Sequence, residues 1–333
     1  MKENINHKIA RFNETINSEI SPDLSAWQRF GIFCDFVGEY LFHGAYLNDY
    51  CQYDFYYKNR RERDNYIVFD KWMQIKNVCN DPDKVAIMDD KFLFNEAYKK
   101  FLGRDYLDIN TATLEDFVQF LEGKEAIFVK EYDGTCGIGV DKVYIKDIDD
   151  ISALFDEYKA KKMLCEGVLT QCKEMAEFNE SSINTLRVVT IRKADGKVKV
   201  MGGLLRTGRK GRIADNFHHN GIVAFLDGDT GVVSTTGVNK DKDRFILHPD
   251  SGKQIVGFNV PVWDKVVDAV TKAALVTPEL RYTGWDVVID ENYDIAIIEG
   301  NSAAEPDGEQ VTTKTGRWPL YKKYLDEIEK LQN

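Results

Sequence analysis

The chain lacks the features that mark membrane, secreted and nucleic-acid-binding proteins. No apolar run approaches the ~18 residues of a membrane-spanning helix, and the start, MKENINHKIARFNETINSEI, is polar where a secretory leader needs an apolar stretch. A cytoplasmic protein with no membrane span is expected. Basic residues are in deficit: 44 Lys plus Arg stand against 55 Asp plus Glu, a formal net charge of −11. A field of that sign repels phosphate backbones and anionic lipid, so no nucleic-acid partner is expected, while a small anion can still be held in a locally basic cleft. The six cysteines (Cys34, Cys51, Cys79, Cys136, Cys165, Cys172) include no C-x-x-C pair, and no histidine falls at zinc-finger spacing. A chain of this size needs no disulfide staples, and reduced thiols are expected. Only 7 prolines occur, with no repeat or low-complexity tract, so ordered structure is expected throughout.

What is present is enough for two unequal domains. The 333 residues are 43% hydrophobic, about two domains' worth of chain at roughly 150 residues each. Up to residue 80, aromatics recur at mixed three- and four-residue steps through WQRFGIFCDFVGEYLFHGAYLNDYCQYDFYYKNRRERDNYIVFDKW, the pattern of helices packed on an apolar partner. Within it KNRRERD, with acids among its bases, reads as a solvated helix face. Asn80-Asp81-Pro82-Asp83 is a breaker, which places a boundary between a helical region 1–80 and a body 81–333. In the body a helix is predicted from Lys91 to Leu102 and another behind a threonine cap in TATLEDFVQFLEG. Strands AIFVKE and IGVDKVYI then flank the loop YDGTCG, followed by a helix in DIDDISALFDEYKA and a strand in KKMLCEGVL. Further strands are read in INTLRVVTIR, KVKVMGGLL, GIVAFLD, GWDVVID and DIAIIEG, with helices in PVWDKVVDAVTKAALV and LYKKYLDEIEKLQ. Runs of strands with segregated helices indicate an α+β fold.

Three segments carry chemistry. Asp286 in GWDVVID and Glu299 with Asn301 in IIEGN end two strands joined by a tight turn at Glu291-Asn292. In a hairpin of that register the two carboxylates converge, and alternation puts Glu299 and Asn301 on one face. Oxygen donors facing one point suit magnesium; equally, acids gather at strand ends because turns are polar. Lys130 ends an apolar strand before a loop with Gly134, Gly137 and Gly139. There backbone N–H groups can approach phosphate oxygens, although such a hairpin is more often only a turn. Because a strand follows it, the segment is neither a helix-opening phosphate loop nor a dinucleotide fingerprint. Finally, SSINTLRVVTIR and GGLLRTGRKGRIADNFHHNG embed Arg187 and Arg206 in apolar strands and bring Asn216, His218 and His219 behind them. An arginine so placed needs an anionic partner, either a structural carboxylate or a ligand.

The order of these blocks is more specific than any one of them. A lysine strand with a Gly-rich hairpin comes first, then a strand ending in Glu166, an arginine strand, R…N-F-H-x-x-G, and D…E-x-N. This order resembles the ATP-grasp superfamily over residues 81–310. Through SSINTLRVVTIR, DNFHHNG and GWDVVID…IIEGN it is most similar to the sugar-transfer-associated branch. The last two blocks also resemble the ribosomal-protein glutamate ligases. The resemblance implies two α+β subdomains clamping ATP, 81–168 with the Gly-rich loop and 169–333 with the metal site. It implies that Lys130 contacts phosphates and that Gly134, Gly137 and Gly139 belong to the closing loop. Glu166 with the backbone near Gly167 and Val168 matches the adenine hinge. Asp286, Glu299 and Asn301 match the ligands of Mg2+, with Mn2+ as the alternative. Arg206 matches the residue that stabilises the transferring phosphoryl group, Arg187 is assigned to phosphate or substrate carboxylate, and Asn216 and His218 line the same region. Three departures stand out. Asn95 occupies a position where D-K-x-x-x leads to a lysine, which leaves Lys91 as a substitute; Glu131 replaces the usual proline after Lys130; and the ribose partner is unassigned, with Gln171 and Glu174 as candidates.

The implied activity is ATP-dependent carboxylate–amine ligation through an acyl phosphate. It would join an amino acid or similar acid to an amine, such as an amino acid or aminosugar, in a cell-surface polysaccharide context that rests on the resemblance alone. Phosphoryl transfer needs charge neutralisation and in-line positioning more than a protein nucleophile. A small-molecule kinase and a non-catalytic nucleotide-binding module on the same scaffold are the alternative expectations.

Overall fold

Period-two alternation in AIFVKE sends Ile127 and Val129 to one face of a strand and Phe128 and Lys130 to the other. In the computed structural model, which describes residues 5–131, 139–211 and 221–332, the chain divides into two units, Met1–Val78 with Glu305–Asn333, and Cys79–Ala304.

Among the described residues the second unit carries every strand. In chain order they are β1 (Tyr106–Asp108), β2 (Ala126–Glu131), β3 (Val140–Tyr144), β4 (Met163–Gly167), β5 (Thr185–Arg192), β6 (Val198–Thr207), β7 (Ile222–Leu226), β8 (Gly237–Val238), β9 (Arg244–Phe245), β10 (Tyr282–Ile289) and β11 (Ile295–Asn301). They form a four-stranded sheet ordered β1-β4-β2-β3 and a seven-stranded sheet ordered β11-β10-β5-β6-β7-β8-β9. Neighbouring strands run antiparallel in both, which is the α+β arrangement expected.

Each sheet packs one face against helices, and the inner strands β4, β7 and β10 are buried on both faces. Ile127, Val129, Met163 and Cys165 of the small sheet pack with Phe117 and Phe120 of the helix Leu114–Leu121 and with Phe155 and Tyr158 of the helix Ile151–Ala160. The first of these helices opens as its sequence requires: Thr113 Oγ1 accepts from Asp116 N–H at 3.2 Å and Asp116 accepts from Thr113 N–H at 2.8 Å, a reciprocal cap that stabilises by ~1 kcal/mol. In the large sheet Leu186, Val188, Trp285, Val287 and Ile297 meet Trp263, Val266 and Val270 of the helix Trp263–Ala273. Trp285 is fully buried and donates Nε1–H to Thr190 Oγ1 at 2.8 Å. The helix predicted over Lys91–Leu102 is split, an α-helix Lys91–Tyr98 tightening into a 3₁₀ turn Lys99–Phe101. The short strands β1, β8 and β9 were not predicted.

The first unit is helical in the described residues: Ile5–Glu19, Ala26–His43, Leu47–Gln52, Arg60–Asp64 and Phe69–Cys79, joined by Asp307–Thr313 and Trp318–Gln332. Here the expected assignment of residues 305–333 to the body is corrected. Gln310 lies buried and exchanges hydrogen bonds with Ile67, accepting from its N–H at 2.7 Å and donating to its carbonyl at 3.0 Å. Tyr66 Oη donates to the Lys314 carbonyl at 2.7 Å. The segment KNRRERD keeps Asn59, Arg61, Glu62 and Asp64 on a solvated face, while Arg60 and Arg63 make ion pairs on its other side. Arg63 is half-sequestered over Asp35 (2.8 Å) and Glu39 (2.9 Å), and Arg60 joins it on Glu39 at 2.7 Å, because the buried Glu39 carboxylate requires positive partners. Among the described residues no helix is long and apolar enough to cross a membrane, and no cysteine forms a disulfide.

Candidate functional site

The site is built toward the open end of the β10–β11 hairpin, away from the turn that joins Ile289 to Ile295. Val287 pairs with Ile297, yet Asp286 pairs with Glu299, so Ile298 is an extra residue in β11. This bulge reverses the alternation: Ile297 points into the core, and Glu299 turns to the face of Asp286. Two carboxylates therefore oppose each other across the hairpin.

Asp286 is buried and held by both predicted arginines. Arg187, its cross-strand neighbour on β5, bonds Oδ1 through Nε and Oδ2 through Nη2, the latter at 3.1 Å, and Arg206 on β6 reaches Oδ2 through Nη1 at 3.0 Å. Gly284 makes room for this fork, since a Cβ there would lie 3.1 Å from Arg187 Cδ. Burial pushes the Asp286 carboxyl upward, but the two guanidinium charges outweigh it and hold the pKa below the ordinary value. Glu299 contrasts with this. It is accessible, makes no hydrogen bond among the described residues, and its pKa is raised by the crowding of protein around it and by the charge of Asp286, against the opposing charges of Arg187, Lys130 and Lys91. A divalent cation between the two carboxylates would relieve that repulsion. Asn301 adds an amide oxygen, which also accepts from Ala303 N–H at 2.8 Å. Two carboxylates and an amide form the hard, oxygen-only donor set that suits Mg2+ when waters and phosphates complete it. Among the described residues no cluster of three or more His, Cys, Asp or Glu offers a full protein cage.

The small sheet contributes the cationic part. Lys130 on β2 donates to Glu166 Oε2 on β4 at 2.5 Å. Glu166 is almost wholly buried and also receives Arg104 Nε on Oε2 and Nη2 on Oε1, both at 2.9 Å, and Asn95 Nδ2 on Oε1 at 2.9 Å. Burial raises the Glu166 pKa, but Lys130 and Arg104 dominate and hold the group well below the carboxylate range. Lys91 donates to the Glu131 carbonyl at 2.9 Å, at the end of β2. Beside this cluster opens a cavity of about 480 Å³ whose lining includes Arg104, Lys142, Tyr144, Gly167 and Val168.

Several expectations meet this geometry directly. Asp286, Glu299, Arg187 and Arg206 are brought together, and the charge of Lys130 acts on Glu299. Val168 lines the cavity, whereas the Glu166 side chain faces Lys130, Arg104 and Asn95 with both oxygens engaged, so a hinge contact there falls to backbone. Gly139 sits in the left-handed region at φ +70°, its carbonyl accepting from Glu131 N–H at 3.0 Å, and it closes the β2–β3 hairpin. Gln171 is a correction. Its amide donates to the carbonyls of Asn179 and Ser182 and its oxygen accepts twice from Asn184, so this buried side chain is a structural node with nothing left for a ribose. Glu174 accepts from Tyr293 Oη at 2.9 Å. Gly134, Gly137, Asn216 and His218 lie outside the described residues. Arg104 escaped sequence reasoning, because its partner stands 62 positions away and GRD carries no periodic mark. Asn95, noted in the sequence as standing where a lysine is expected, is buried on the helix Lys91–Tyr98 and donates to Glu166 instead.

No curated protein matches the sequence. Among solved structures the chain is similar to the ATP-grasp ligase PsnB complexed with minimal precursor, Mg and ADP (15% identity, TM-score 0.47, 75% of this chain and 62% of that one). It is also similar to N5-carboxyaminoimidazole ribonucleotide synthetase from Thermotoga maritima (12%, 0.44, 74% and 51%) and to D-alanyl-alanine synthetase A from Vibrio cholerae (12%, 0.42, 72% and 60%). The chain thus spans less than two thirds of the length of these proteins. At the sequence level residues 71–324 match the model of the sugar-transfer associated ATP-grasp family; the two-sheet α+β body is an ATP-grasp fold, and the chain belongs to that family.

Proposed function

We propose that the protein is an ATP-dependent carboxylate–amine ligase. In this reading the γ-phosphoryl group of ATP passes to a substrate carboxylate, giving an acyl phosphate and ADP. The nitrogen of an amine then attacks the acyl carbon, the C–O bond to phosphate breaks, and an amide and inorganic phosphate leave. The observation that carries the reading is the juxtaposition of Asp286 and Glu299 with Arg187, Arg206 and Lys130, a site equipped to neutralise a phosphoryl group in flight.

Each residue has a part in it. Asp286, Glu299 and Asn301 would hold Mg2+, or Mn2+ in its place, and the bound ion would supply charge neutralisation at the phosphates. Lys130, together with the loop of Gly134, Gly137 and Gly139, binds the triphosphate, and the backbone at Gly167 and Val168 receives adenine in the 480 Å³ cavity. Arg206 stabilises the transferring group while Arg187 orients phosphate or substrate carboxylate, and Asn216 and His218 line the same region. Residues 81–168 form the smaller clamping part, the part from residue 169 carries the metal site, and residues 1–80 form a separate helical region. The acid is an amino acid or a relative, the acceptor an amino acid or aminosugar. The family's association with sugar transfer supports a role in cell-surface polysaccharide synthesis, and a cytoplasmic location is part of the same proposal.

Hydroxylamine trapping tests the chemistry. With Mg-ATP, a panel of acids and hydroxylamine, acid-dependent release of ADP and inorganic phosphate with hydroxamate formation is expected. A stable phosphorylated product without inorganic phosphate identifies a kinase, and no ADP across the panel removes the enzymatic reading.

A further inference from the structure

Arg104 is nearly inaccessible, its side chain 4% exposed, and its hydrogen-bonding capacity is fully committed inside the protein. A guanidinium has five N–H donors. Two go to Glu166 at 2.9 Å, one to the Leu102 carbonyl at 3.1 Å, and the rest are longer contacts to the carbonyls of Ile298 at 3.4 Å and Ile297 at 3.5 Å. Those last two carbonyls belong to the bulge that turns Glu299 toward Asp286. Although Arg104 borders the 480 Å³ cavity, it has no donor to spare for a ligand.

Its effect is exerted through Glu166. If Lys130 were the only cation on that buried carboxylate, the two would form a neutral pair and the ammonium would be held against Glu166. Arg104 satisfies the carboxylate with a two-pronged, charge-assisted pair that shares Oε2 with Lys130 and also takes Oε1. Asn95 adds a neutral donor to Oε1. The cluster then carries one negative and two positive charges, and the excess resides on Lys130, whose side chain is 18% exposed and uses a single donor on Glu166 among the described residues.

We propose that Arg104 is a positioning residue, the counter-charge that neutralises Glu166 and thereby leaves the Lys130 ammonium, though bonded to Glu166, with an uncompensated positive charge for nucleotide phosphate. The assignment rests on the reading of this cleft as a nucleotide site.

The experiment compares ATP and adenosine affinities by calorimetry on the full chain in excess Mg2+, for wild type, Arg104→Gln, Glu166→Gln and the double variant. Removing a charge-assisted interaction is worth about tenfold or more in affinity, so Arg104→Gln is expected to weaken ATP by at least that factor while adenosine changes by less than about threefold. The double variant, with neither buried carboxylate nor buried guanidinium, is expected to return ATP affinity to within about threefold of wild type, because Lys130 is again uncompensated. A double variant that stays as weak as Arg104→Gln, or adenosine affinity falling in parallel with ATP, overturns the assignment. Should Arg104→Gln fail to fold, the charge-balanced double variant decides alone: ATP affinity near wild type supports the assignment and a loss refutes it. A wild type that binds neither ATP nor adenosine refutes the nucleotide site itself, and the positioning role falls with it.

Discussion

The two acids of the β10–β11 hairpin are chemically alike but are expected to respond in opposite directions to substitution. Asp286 is 6% exposed and holds two arginines whose side chains are 22% and 12% exposed. Asp286→Ala leaves both guanidiniums without their partner. Breaking a buried ion pair costs about 3–5 kcal/mol, and the partial access of the arginines to water sets the expected loss near 3 kcal/mol. For a unit of this size that lowers the melting temperature by about 6–12 °C. Among the described residues Glu299 has no such partner, and the charge it faces across the hairpin is negative. Like charges placed opposite each other destabilise by about 0.2–1 kcal/mol, so Glu299→Gln is expected to leave stability unchanged or raise it by up to that amount. Thermal unfolding followed by circular dichroism, near neutral pH and with EDTA, measures both. The same melts repeated with ADP and Mg2+ should show Mg2+-dependent stabilisation in wild type that Glu299→Gln lacks, since a ligand bound to the native protein raises its apparent stability. Equal losses for the two variants, or an Asp286→Ala protein within about 1 kcal/mol of wild type, would refute the division of roles drawn from the geometry.

Three further substitutions probe the frame around the site. Asn80 is buried and makes three hydrogen bonds, to the Tyr282 carbonyl at 2.8 Å, to the Ser302 carbonyl at 2.7 Å and from Tyr282 N–H at 2.9 Å; Asn80→Ala should cost about 3 kcal/mol, read as a lower urea midpoint. A Cβ on Gly300 would lie 2.5 Å from Met88 Sδ and 2.9 Å from a ring carbon of Phe94, so Gly300→Ala should destabilise by about 1–3 kcal/mol in the same assay through overpacking. In the first unit burial raises the Glu309 pKa to about 7 despite Arg317 and Tyr321, with Asp307 adding to the rise. A carboxyl whose pKa is raised on folding binds its proton more tightly in the native protein, so stability falls as pH climbs from about 4.5 to about 7, by on the order of 3 kcal/mol if the group acts alone. Melting curves across that window should flatten in Glu309→Gln; a wild type whose stability rises through it contradicts the assignment.

Periodicity made much of this protein legible. The strands carrying Lys130, Arg187, Arg206 and Asp286 each announce themselves by apolar composition, and the polar interruption inside an apolar run singled out the chemical residue. The same logic could not find the bulge at Ile298. IAIIEGN reads as one continuous strand, and an extra residue is defined only by its pairing with β10. Nor could it find Arg104, whose meaning depends on Glu166 and on the bulge carbonyls far away in sequence. Gln171 misled for the complementary reason: a polar side chain next to a strand end looks like a ligand contact until Asn179, Ser182 and Asn184 fold around it. The C-terminal helix was drawn into the body because its amphipathic pattern shows that a partner exists without saying which.

Local charge explains how a chain of net charge −11 can be compatible with the proposed polyphosphate site. Lys91, Lys130, Arg104, Arg187 and Arg206 stand among Glu166, Asp286 and Glu299, so the cleft is positive where the whole chain is negative. The three carboxylates divide by what surrounds them. Glu166 and Asp286 are each saturated by cations and serve to fix those cations in place, and their low pKa values follow from that arrangement. Glu299 alone is accessible, raised in pKa and without a hydrogen bond among the described residues. A cation arriving from solution therefore finds one carboxylate that gains from its charge and two whose needs are already met. On the proposed reading of this hairpin as a metal site, that asymmetry, set by a single extra residue in β11, would make metal affinity a property of Glu299 first and of Asp286 second.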